Sequence, residues 1–106
     1  MGKYTLLVLT NSVAGREDEF NDWYTNQHVP DILRIPGFVA AKRFRIASEQ
    51  VMAGQPKWKY LALYEVETDD LKGALADMVA RGGGPAMPIS DALDVEGALA
   101  TIYQAI

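Results

Sequence analysis

Asp22-Trp23-Tyr24-Thr25-Asn26-Gln27-His28-Val29-Pro30-Asp31, followed closely by Pro36-Gly37-Phe38, is the stretch on which the reading of this chain turns. Phe20, Trp23, Tyr24 and Gln27 repeat at i, i+3, i+4 and i+7, the spacing of one helix face. The only histidine among the 106 residues stands at the end of that face, just before a helix-breaking proline. Glu17, Asp18 and Glu19 complement the positive end of a helix dipole, and Gly15 or a neighbour is placed to cap it. The spacing predicts a helix from about Arg16 to Gln27. Pro30 cannot donate to the carbonyl of Asn26 and disfavours helical geometry at Val29, so the helix is expected to kink or stop there. A short turn through Ile32 and Arg34 then leads to Pro36-Gly37, which closes the segment. Such a break aims the imidazole of His28 into whatever space the aromatic face covers.

Upstream, Tyr4-Thr5-Leu6-Leu7-Val8-Leu9-Thr10 is a nearly continuous apolar run ended by Asn11-Ser12, which reads as a strand with both faces buried. Downstream, extended runs over Phe38 to Ile46 and Trp58 to Glu67 flank polar loops at Glu49-Gln50 and Gly54-Gln55-Pro56. They are expected to form an antiparallel hairpin, with the register open. Thr68-Asp69-Asp70 starts a second helix, whose stripe of Leu71, Ala74, Leu75, Met78 and Val79 ends at Arg81 and Gly82. Gly82 to Asp94 reads as a loop, and about Val95 to Ile106 as the last strand. The order is βαββαβ.

Two βαβ halves with right-handed crossovers give an α+β, ferredoxin-like protomer: a four-stranded antiparallel sheet with two helices on one face. The second face is left bare, yet either parity of the first and last strands puts apolar residues on it: Leu6 and Val8 or Leu7 and Leu9, with Leu99 or Ile102. A second copy stacked face to face is the simplest cover.

Composition sets limits on what such a chain does. It is read as a single domain, 1–106, whose modest core makes a homodimer a reasonable expectation. A formal charge of −4 gives no global attraction to nucleic acid, and cysteine is absent, which removes disulfides, thiolate metal sites and thiol nucleophiles. No apolar run approaches the roughly 18 residues needed to span a bilayer, and Met1-Gly2-Lys3-Tyr4 runs straight into a strand without a cleavage site. A cytoplasmic protein with no membrane partner is expected.

Glu19-Phe20-Asn21-Asp22-Trp23-Tyr24, His28-Val29-Pro30-Asp31, Pro36-Gly37-Phe38 and Arg43-Phe44-Arg45 resemble the dimeric α/β-barrel superfamily, and most closely its small EthD-like, uncharacterised bacterial members. The resemblance implies protomers that join their sheets into a barrel, each with a pocket between sheet and helices. Relatives include muconolactone isomerases, aromatic-polyketide cyclases, cofactor-free quinone-forming monooxygenases, haem-degrading enzymes and chlorite dismutase-type haem enzymes, so the fold does not select a reaction. It also implies a pocket-facing histidine after the first helix, a place that His28 matches.

The residues themselves leave alternatives. His28 is a candidate general acid/base within a wall of Trp23 and Tyr24, oriented by Asp31, or it caps the broken helix by bonding a freed carbonyl near Asn26. Phe20 is expected in the core. Tyr60 and Tyr64 share a strand face with Trp58 and Ala62, and either donate phenolic hydrogen bonds to a ligand or pack in the dimer interface. Arg43 either holds a ligand carboxylate or enolate, or pairs on the surface with a neighbouring acid. His28 and Asp31 supply at most two metal ligands, so no metal is expected; haem on His28 alone is chemically allowed, but no cofactor is expected. Gly82-Gly83-Gly84-Pro85 follows a helix and does not resemble a phosphate loop; it reads as a flexible connector or a lid. Lys57-Trp58-Lys59-Tyr60 superficially fits an RNA-recognition module, but the aromatic-glycine pattern of that module is absent.

These observations converge on a homodimer binding a small hydrophobic, oxygenated aromatic or polyketide-like molecule. The expected chemistry is proton transfer by His28, with Tyr60 or Tyr64 as electrophilic donor, in isomerisation, cyclisation or lyase reactions. A noncatalytic binding or accessory protein, and a cofactor-free or haem-dependent monooxygenase, are the alternatives.

Overall fold

An apolar first strand asks for neighbours on both edges, and β1 (Gly2–Thr10) has them, pairing antiparallel with β3 (Tyr60–Thr68) on one side and β4 (Leu99–Gln104) on the other. The computed structural model describes residues 1–54 and 56–106. Between the strands run α1 (Glu17–Trp23), a π-helical turn (Tyr24–His28), α2 (Val29–Leu33), β2 (Phe38–Arg45) and α3 (Leu71–Arg81). The sheet order is β2-β3-β1-β4, the ferredoxin-like arrangement that the element order predicts.

Register settles which residues face the helices. Leu6 lies opposite Tyr64 and Ile102, and Ala41 opposite Tyr64, so Tyr60, Ala62, Tyr64 and Val66 share a face with Leu6 and Val8. That face meets Phe20, Tyr24, Ile32, Ile35 and Ala74 in one buried cluster, with Leu71, Leu75 and Met78 packed against it. The opposite face carries Leu7, Leu9, Leu61 and Leu63, only half-buried, and the exposed Phe44, Leu99 and Tyr103. Only one face of β1 is therefore buried within the protomer.

Several boundaries differ from the sequence reading. The first helix does not end at Gln27: it passes through the π turn into α2, with Pro30 in the first turn of that segment. Pro30 lacks an N–H and crowds the carbonyl one turn back. Lengthening the turn upstream, where the Val29 N–H reaches the Tyr24 carbonyl, lets the chain stay helical through the proline. The N-cap is Arg16, without a side-chain cap bond. Trp58 stands before β3, where its indole N–H donates to the Gly97 carbonyl at 2.6 Å. Val95–Ala98 is a turn held by the Asp94 carboxylate, so β4 is shorter than expected. The turn at Gly54-Gln55-Pro56 includes Gln55, which lies outside the described residues.

α3 follows its expected course. The Asp70 carboxylate accepts from the Gly73 N–H at 2.9 Å, and the helix stops at Gly82. Val79 departs from the predicted stripe and is 79% exposed. The Gly82–Asp94 segment is a loop, as expected, and beyond its glycines it is anchored to the rest of the chain. Met87 and Ala92 are buried, the Trp23 indole donates to the Pro88 carbonyl at 3.2 Å, and Arg16 meets Asp91 at 2.6 Å.

Gly37 adopts φ +96, and a Cβ there would meet the Glu67 carbonyl at 3.4 Å. Gly37→Ala is expected to lower stability by about 1–2 kcal/mol in denaturant unfolding. An unchanged midpoint would show that the turn into β2 does not need glycine.

Candidate functional site

His28 is 8% exposed and forms part of the wall of a cleft of about 410 Å³ between α3, β1, β4 and the Gly82–Ile89 segment. The rest of the lining is hydrocarbon or backbone: chiefly Leu6, Leu75, Met78, Met87, Ile89 and Ile102. The π turn explains how the ring gets there. In an α-helix, residues five apart lie about 140° apart around the axis. The rings of Trp23 and His28 nevertheless stack, with centroids 4.6 Å apart and planes at 26°, because the turn between them is wider. Tyr24 closes the other side edge-on at 4.9 Å.

This enclosure governs protonation. Burial pushes the His28 imidazole down to about 4 from 6.5; the nearby Asp31 carboxylate opposes that shift and the Arg43 charge adds to it. The ring is neutral at physiological pH. Its Nδ1 is buried and bonds no described residue, so it does not cap the helix through that atom. An orphan of this kind costs about 1–3 kcal/mol. Such atoms in a native fold call for an explanation in a bound molecule or in chemistry.

Asp31 is buried beside the histidine but is not bonded to it. Its two oxygens accept from Arg34 at 2.7 Å and Gln27 at 2.8 Å, so it acts on the ring through its field. Trp23, Tyr24, His28 and Asp31 thus come together.

Tyr60, Tyr64 and Arg43 lie apart from the cleft. All three face the helices, and the tyrosines are core residues there, not members of the open sheet face. The Tyr64 hydroxyl donates to that of Tyr24 at 3.2 Å, and burial pushes both phenols up. Tyr60 donates to the Glu17 carboxylate, and that bond, followed by the one from Lys59, holds the Glu17 carboxyl below its ordinary range. Among the described residues Arg43 meets no acid; its guanidinium sits 4.3 Å above the Tyr24 ring and donates to Thr25 and Asn21, both at 2.9 Å.

Sequence reading missed the cleft-lining residues because they come from α3, β4 and a loop. No sequence signal set them apart: Leu75, Met78 and Val79 read as one apolar stripe, and the exposure of Val79 and Ile89 is seen only in the folded chain. Among the described residues no cluster of three metal-ligating side chains exists. The cleft also lacks a lysine or arginine to hold haem propionates, so its lining does not fit haem.

The chain has a ferredoxin-like fold. It belongs to the family described as a domain of unknown function, DUF4286, whose model matches residues 4–73. A provisionally assigned monooxygenase from Shewanella loihica PV-4 is similar in structure, with TM-score 0.65 and 13% identity over 100% of this chain and 97% of that one. An ethyl tert-butyl ether degradation (EthD) family protein from Bacillus halodurans C-125 is similar at TM-score 0.53 and 18% identity, over 100% of both chains. No curated protein matches the chain. Among the described residues, no helix is long and apolar enough to cross a membrane.

His28 is expected to titrate near 4 by NMR of its ring. Because its folded affinity lies below the ordinary 6.5, the unfolded chain takes up the proton first as pH falls. Stability is then intact above about pH 6.5 and falls toward pH 4 by up to about 3 kcal/mol. Denaturant unfolding at the two ends of that window checks the sign: the wild type should lose more stability than His28→Gln, and equal losses would refute the assignment.

Proposed function

We propose that this protein is a homodimer that binds a small hydrophobic, oxygenated aromatic or polyketide-like compound and uses His28 to move a proton on it. The observation that carries the reading is one neutral, buried imidazole set in an otherwise hydrocarbon-walled cleft of about 410 Å³. A neutral imidazole has a free lone pair near pH 7 and can take a proton from an activated C–H or O–H group. The imidazolium so formed is balanced by the anion left on the ligand and by the Asp31 carboxylate. Return of the proton at another atom completes an isomerisation, a cyclisation or an elimination. An oxygenase variant uses the same site and differs in that the carbanion meets dioxygen.

A specific observation favours a second reading, a noncatalytic binder. Tyr60 and Tyr64, the expected electrophilic donors, are committed to Glu17 and Tyr24 and do not line the cleft. His28→Gln separates the two. With a ligand found by thermal-shift screening, the enzymatic reading expects turnover to fall about 10²–10⁴-fold with binding largely kept. Unchanged turnover, or a bound ligand that the wild type never converts, refutes it.

The dimer is supported by the open sheet face, where Leu7 pairs with Leu63 and Leu9 with Leu61 beside Phe44, Leu99 and Tyr103. Apolar surface of this kind needs a cover, and a second sheet about 10 Å away provides one. Leu63→Glu is expected to yield a folded monomer in sedimentation velocity, whereas a wild-type monomer would refute face-to-face pairing.

A further inference from the structure

A second recess, of about 150 Å³, opens on the β2 side of α1 and is lined by Asn21, Arg43, Phe44, Arg45 and Tyr60. It shares no lining residue with the His28 cleft. Three of the five arginines meet a carboxylate: Arg16 with Glu19 and Asp91, Arg34 with Asp31, and Arg81 with Asp77. Arg43 and Arg45, both on this recess, have no ion-pair partner among the described residues. Arg43 is also the one drawn inward, half-buried over the rings of Tyr24, Phe20 and Tyr60.

Taking a guanidinium partly out of water without a counter-charge is unfavourable, and burial accordingly lowers its proton affinity. Two of its five N–H groups are satisfied by Thr25 and Asn21, which also fix its plane. The remaining donors are preorganised. Glu17, the acid bonded to Tyr60, is itself engaged by the Lys59 ammonium at 3.0 Å. Around the recess, Arg43, Arg45 and Lys59 therefore outweigh Glu17 in charge.

We propose that this recess is a binding site for a small oxyanion, a carboxylate or a phosphate, held by the free N–H groups of Arg43 with Arg45 in support. Its volume of about 150 Å³ admits a compact anion. Arg43 is fixed from two sides, so binding orders little that is not already ordered. The site stands independently of the reaction assigned to the His28 cleft.

Titration with acetate, and separately with inorganic phosphate, at constant ionic strength tests this by NMR of the Arg43 Nε–H and the Asn21 side-chain amide. Saturable shifts in the millimolar range are expected with at least one anion, and the arm that saturates identifies the class. Arg43→Gln should weaken binding about tenfold or more, while Lys3→Gln, paired with Glu67 at the end of β3 away from Tyr60, leaves it unchanged. Near-UV circular dichroism reports whether Arg43→Gln folds; if it does not, Arg43→Lys and Arg45→Gln should each weaken binding several-fold. Failure of both anions to saturate, or full affinity in the arginine variants, overturns the site.

Discussion

The amide hydrogen that Pro30 does not have shapes everything around it. A helix interrupted at that point would leave carbonyls one turn earlier without donors and would splay the chain away from the sheet. The turn from Tyr24 to His28 widens instead, the Val29 N–H bonds five residues back, and α2 continues to Leu33. Ile32 and Ile35 are thereby seated in the core, and Trp23 and His28 are brought ring to ring. The histidine is buried as a by-product of keeping the helix whole, and its altered proton affinity follows from that burial.

Tyr24 then acts as a partition. One edge of its ring meets His28, one face lies under Arg43, and its hydroxyl is tied to Tyr64 below. On one side of it lies a hydrocarbon-lined cleft containing a neutral base; on the other, a small recess lined by two arginines. The aromatic cluster of Phe20, Trp23, Tyr24 and Tyr60 separates these environments within a protomer of 106 residues. Such a wall separates the two linings but does not screen charge, and Arg43 is accordingly felt at His28.

Much of the architecture was legible because local signals agreed with one another. Asp70 before an apolar stripe marked α3, the extended run from Trp58 to Glu67 marked β3, and the βαββαβ order left one common topology. The face occupied by Tyr60 and Tyr64 was not legible, since parity offers two answers until Leu6 is seen opposite Tyr64. The inward histidine could be anticipated from Pro30, but the π turn that achieves it could not, because no residue type codes for one. The cleft itself is assembled from Leu6, Leu75, Met87 and Ile102, positions distant in sequence. Only the fold brings them to one place.

The widened turn amounts to one surplus residue in an otherwise regular spiral. Deleting a single codon between Tyr24 and His28 would restore ordinary winding and swing every side chain beyond it by about 100°. Such a lineage would keep its sheet, its open face and most of its core, yet present a different residue to the cleft. Gain or loss of the buried base in proteins of this fold is thus within reach of one short insertion or deletion, with no need for a series of point substitutions.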